Sequence, residues 1–178
     1  GVQTCALPIC SALPYERGEL VIDESAGRVA ALAAWHDGSA RVLVASLLAA
    51  AQPTISRDAL RAETALVQVG DRIPMERVTS RALGLGYEAV SLVGARGEIA
   101  RRGGIVDLFP AGERTPLRIE WFGDTIESIR RIDPADQRSR EPVQAVRLLP
   151  ASEFPLDAQR VAAARAAAEA ALHSGGES

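Results

Sequence analysis

Over residues 23–36 the apolar residues Val29, Leu32, Ala33 and Trp35 recur at helical spacing, and Gly38 lies just past the last of them. The spacing predicts a helix there, capped by Asp23 or Ser25. Residues 41–46, Arg-Val-Leu-Val-Ala-Ser, form a short continuous apolar run of the kind that fills a parallel strand covered on both faces. A helix can start behind it over 47–52, so the opening third reads as an α/β layer. After Pro53, Ser56 can cap a short helix through Glu63, and residues 65–69 read as a strand closed by the turn Gly70-Asp71. A further helix is expected over 74–85, where Pro74 is tolerated because its missing N–H falls in the first turn.

From Tyr87 the pattern changes to period-two segments separated by Gly and Pro, at 89–93, 98–101, 104–109, 117–122, 126–132 and 143–148, which predicts a mostly antiparallel sheet. The clearest hairpin joins 117–122 to 125–130 through Gly123-Asp124, a two-residue turn that needs positive φ. Alternation turns Leu117, Ile119 and Trp121 inward and Arg118 and Glu120 outward. Phe109 and Trp121 are read as packing aromatics on the same ground. Asp157 can cap an Ala-rich helix over 158–172, stopped by Gly175-Gly176, with a thin stripe of Val161, Ala164, Ala168 and Leu172. The resulting plan is an α/β piece over 11–62, a β-rich domain over 63–150 and a helical return over 151–178.

Residues 1–10 join no amphipathic pattern and carry neither a basic start nor a signal cleavage site. The string Gly1-Val-Gln-Thr-Cys-Ala-Leu-Pro-Ile9 resembles the in-frame translation of a sequencing-library adapter, with Cys10 at the junction. These ten residues are therefore expected to stand outside the fold, and the natural N-terminus to be missing. Cys5 and Cys10 are the only cysteines, so setting them aside removes disulfides, thiolate zinc sites and cysteine nucleophiles.

Composition narrows the chemistry further. The 178 residues are 47% apolar with no run long enough to span a bilayer, which fits a globular chain of one or two domains. Net charge is −3 and the 20 basic residues are all Arg, which excludes a P-loop lysine and Schiff-base catalysis. His36 and His173 sit beside expected helix ends without acidic or hydroxyl partners at motif spacing, and read as surface residues. No hydrolase elbow, zinc-helix or EF-hand pattern occurs, so catalytic residues, metals and cofactors are not expected.

Between Tyr87 and Arg140 nine Arg face nine Asp or Glu, a balance that suits a protein partner better than a phosphate backbone. Arg96, Arg101 and Arg102 crowd a Gly-rich strand junction, and Arg pairs bidentately with carboxylates. The competing reading, a solvated strand edge guarded by charge, is the commoner use of such a pattern.

Two long stretches are more specific. Gly97-Glu-Ile-Ala-Arg-Arg-Gly-Gly-Ile-Val-Asp-Leu-Phe-Pro110 and Leu117-Arg-Ile-Glu-Trp-Phe-Gly-Asp-Thr-Ile-Glu-Ser-Ile-Arg130 resemble the signature of the second domain shared by UvrB and the transcription-repair coupling factors. Leu13-Pro-Tyr-Glu-Arg17, Asp133-Pro-Ala-Asp-Gln-Arg-Ser139 and Leu148-Leu-Pro-Ala-Ser-Glu-Phe-Pro-Leu-Asp157 tilt the resemblance toward the coupling factors. It implies an incomplete, degenerate RecA-like α/β domain, with an inserted β-rich, mostly antiparallel domain that docks UvrA. It further implies a cytoplasmic repair protein whose ATP-driven translocase and whose contacts to RNA polymerase and DNA lie in other domains. By position, the resemblance places UvrA contacts on Arg102, Arg118 and Glu120, with Arg96 and Arg101 supplying nearby charge. The pattern departs at Ala100 and near Glu88, where UvrB interface arginines meet non-basic residues. A fragment of UvrB or of another excision-repair helicase is the alternative, and direct DNA binding through the Arg cluster is a third reading.

Overall fold

The computed structural model describes residues 4–8, 22–153 and 166. β1 (Thr4–Leu7) lies parallel to β2 (Val42–Ala45), with Thr4 opposite Val42 and Leu7 opposite Ala45. The opening segment, expected outside the fold, thus contributes a strand. Its extended backbone satisfies one edge of β2, and Leu7 packs against the core beneath α1 (Ile22–His36). β2 is not covered on both faces as expected: Val42 and Val44 are exposed, and β1 is its one strand neighbour among the described residues.

α1 buries Ala26, Val29, Leu32 and Ala33, while Trp35, at the margin of that stripe, is half-exposed and stacks on His36. Ser25, a candidate cap, lies inside α1, where its hydroxyl accepts a bond from the Glu153 N–H. Arg28, on the same helix, is fully buried. Its Nε sits 2.6 Å from Glu153 Oε2, and one terminal nitrogen donates to the Pro8 carbonyl at 2.7 Å and to Gln52 Oε1 at 3.1 Å. The Thr54 hydroxyl donates to the other Glu153 oxygen.

α2 (Leu47–Ala51) and α3 (Arg57–Glu63) begin at Ser46 and Ser56, whose hydroxyls accept the Ala49 and Ala59 N–H groups. β3 (Ala65–Gln68) leads into α4 (Met75–Gly84), which buries Met75, Val78 and Ala82. Next come β4 (Glu88–Ala89), β5 (Glu98–Arg102), β6 (Ile105–Leu108), β7 (Leu117–Phe122), β8 (Thr125–Ile132) and β9 (Ser139–Pro142), adjacent in chain order in one six-stranded sheet. β4 runs parallel to β5 and every other neighbouring pair is antiparallel. β10 (Ala145–Leu148) returns to pair antiparallel with β3, which brings the two ends of the β-rich region together.

The strand expected over 89–93 shrinks to the two residues of β4. Glu98 draws the following loop inward by accepting the Gly94 and Ala95 N–H groups at 2.6 and 2.8 Å, and Val93 drops onto Ala100 and Phe109. β9 is an unforeseen element: all four residues are exposed, so it carries no apolar alternation. The helix expected over 158–172 lies outside the described residues, apart from Ala166, which is helical.

One face of the sheet supplies Ile99, Val106, Leu108, Leu117, Ile119, Ile126 and Ile129 to a core shared with α4, β3 and β10. Each such side chain contributes about 1.5–3 kcal/mol on burial. Ile126 and Ile129 are three residues apart yet both point inward, since the register shift opposite Glu120 and Trp121 leaves Glu127 as an extra residue. A second core gathers α1 residues with Ile55 and Leu60, and Ala111 and Leu149 join it from the β-rich half. Among the described residues no helix is long and apolar enough to cross a membrane.

Candidate functional site: the outer face of the six-stranded sheet

The inward commitment of Leu117, Ile119 and the partly buried Trp121 sends Arg118, Glu120 and Phe122 to the opposite face of β7. Trp121 is pinned by its indole N–H, which donates to the Ile73 carbonyl at 2.9 Å. Register then sets the neighbours. Ala100, Asp107, Arg118 and Arg130 form one row across β5 to β8, and Arg102, Ile105, Glu120 and Ser128 form the next.

Asp107 organises this face. Its side chain is only 1% exposed and lies directly opposite Arg118, whose Nε and terminal nitrogen donate to the two carboxylate oxygens at 2.7 and 2.8 Å. Such a fork is the strongest form of Arg–carboxylate contact. Arg102 reaches diagonally from β5 and donates to the same carboxylate at 2.9 Å. The hydrogen bonds that Arg118 donates to Asp107 raise its pKa; burial opposes that shift, and the charges of Asp107 and Glu120 assist it. Arg118 remains 18% exposed and Arg102 53% exposed, so both guanidinium groups reach solvent from a fixed base. Glu120 is oriented by the Ser128 hydroxyl, which donates to it at 2.6 Å.

Of the five expected contact residues, Arg102, Arg118 and Glu120 come together here. Arg96 lies at the Phe109 end of the same face, with its guanidinium 5.5 Å from the ring centre and its Nε donating to the Glu113 carbonyl. Arg101 does not join them. It stands opposite Val106 on the core-side face, and it pairs with Glu76 of α4 at 2.7 Å. Ala100 is buried beneath Val93 and Phe109.

Sequence reasoning missed two members of the face. Asp107 gave no local signal, since its role depends on a register between separate strands. Phe122 is 80% exposed, and the alternation that placed Arg118 and Glu120 outward also carries it there. The arrangement holds two fixed cations, a fixed anion and an exposed aromatic on one rigid sheet, which is the chemistry of protein recognition.

Residues 66–154 match the family described as the UvrB interaction domain. The chain is 31% identical over 153 residues to the transcription-repair-coupling factor of Haemophilus influenzae, a match covering 86% of this chain and 13% of that protein. The corresponding protein of Escherichia coli is 32% identical over 145 residues, covering 82% of this chain and 13% of that one. That of Mycobacterium bovis is 34% identical over 185 residues, covering 100% of this chain and 15% of that one. The chain thus spans well under a fifth of the length of these relatives. It belongs to the UvrB interaction domain family, as a segment similar to part of the transcription-repair-coupling factors.

Proposed function

We propose that this chain is a non-catalytic docking module that binds UvrA through the outer sheet face, and so recruits it in transcription-coupled nucleotide excision repair. The observation that carries the reading is the Asp107 network, which fixes Arg102 and Arg118 on a family member's exposed sheet face. Holding those side chains beforehand removes about 0.5–1.5 kcal/mol of ordering cost for each on binding. Glu120 adds a fixed charge of opposite sign that sets register, and Phe122 offers an apolar anchor.

In the same reading the β-rich region over 63–150 is inserted into a degenerate RecA-like domain. α1 and β2 belong to its first part over 11–62, and residues 151–178 to its return. Motor activity and contacts to RNA polymerase and DNA belong to other parts of the longer relatives. Calorimetric titration of the chain with purified UvrA tests the proposal. A complex should form, and Arg118→Glu should weaken it by at least about tenfold, as expected when a close charge pair becomes repulsive. A folded chain that takes up no UvrA defeats the reading.

A further inference from the structure

We propose that Arg130 is a third cation of this docking face and that it meets an acidic patch on the partner. The inference rests on the docking reading above and specifies the chemistry of the surface that fits. Arg130 stands directly across from Arg118 in the β7–β8 register, on the outer side and exposed. Like charges in that relation destabilise a sheet unless something neutralises them.

Arg118 is neutralised within the chain by Asp107, which also serves Arg102. Arg130 forms no ion pair among the described residues. Its cross-strand neighbour on β9 is Pro142, and Glu120, diagonal to it, already receives the Ser128 hydroxyl. The two rows around Asp107 therefore carry Arg102, Arg118 and Arg130 against Asp107 and Glu120, and their surplus positive charge sits at position 130. A carboxylate supplied from outside completes the row and removes the Arg118–Arg130 repulsion at the same moment.

The test titrates UvrA into the chain carrying Arg130→Gln, Arg130→Glu or Arg130→Lys, at low and at moderate salt, with melting temperatures measured alongside. Arg130→Glu should weaken binding by about tenfold or more and flatten its salt dependence, and Arg130→Gln should weaken it by about threefold. Arg130→Lys should stay within about twofold of the parent, since the recognition is of charge. Melting temperatures of the Gln and Glu variants should be unchanged or higher, because the repulsion is gone. If the parent chain binds UvrA and Arg130→Glu binds equally well, this inference fails alone. If the parent chain does not bind, the docking reading fails and this inference with it.

Discussion

Glu153 and Asp107 are both buried carboxylates that face arginine, yet one network is closed and the other open. Glu153 meets Arg28, whose side chain is 0% exposed, and every further partner of that arginine among the described residues is a carbonyl or amide oxygen inside the N-terminal half. Asp107 meets Arg118 and Arg102, which keep a growing share of their guanidinium surface in water. A closed network can only tie elements together, here α1 to the segment after β10. An open one presents oriented charge to whatever arrives. The same pair of residue types thus ties elements together in one half and, on the docking reading, serves recognition in the other, with burial of the arginine deciding which.

The largest effect that would test this contrast is on Glu153. Glu153→Gln strands a buried guanidinium and should cost about 3–5 kcal/mol in urea unfolding, while leaving the outer face intact. Replacing both members, Arg28→Met with Glu153→Leu, should recover most of that loss, because no charge is left uncompensated. Asp107→Asn should cost less, about 1–3 kcal/mol, since its arginines can turn to water. It should also weaken UvrA binding, because Arg118 and Arg102 lose the anchor that orients them. Equal stability losses at the two sites would break the comparison.

A third carboxylate network extends the contrast to the surface. The Asp133 pKa is lowered, first by the Ala135 backbone N–H and then by Arg140. A depressed carboxylate contributes stability above its unfolded pKa of about 4, and loses it as pH falls through the lower folded value. Acid should therefore loosen the loop around Gln137, which sits at φ 59. Amide exchange at Gln137 followed down to low pH reads this directly, and global stability should barely change.

How far each feature was legible follows from whether its cause is local. The β7–β8 hairpin could be read from the Gly123-Asp124 turn and the alternation on either side, and the start of α3 from Ser56. β9 could not, because an exposed edge strand leaves no apolar pattern. Arg28 lies beside Val29 on a helix that otherwise looks conventionally amphipathic, and only the distant Glu153 explains its burial. Asp107 is hidden for the same reason. Alternation does place Arg101 and Arg102 on opposite faces, but grouping arginines by proximity in sequence overrode that signal.

Those two neighbours provide the most direct test of the central claim, that the outer face is the one that binds. UvrA affinity should be measured for Arg102→Glu and Arg101→Glu in the same chain, with melting temperatures to establish that both are folded. Arg102→Glu should weaken binding by about tenfold or more, as for reversal of a contact charge. Arg101→Glu removes a solvent-exposed pair with Glu76 and should leave affinity within about twofold. Equal losses, or a larger loss at Arg101, would contradict the assignment of the docking face.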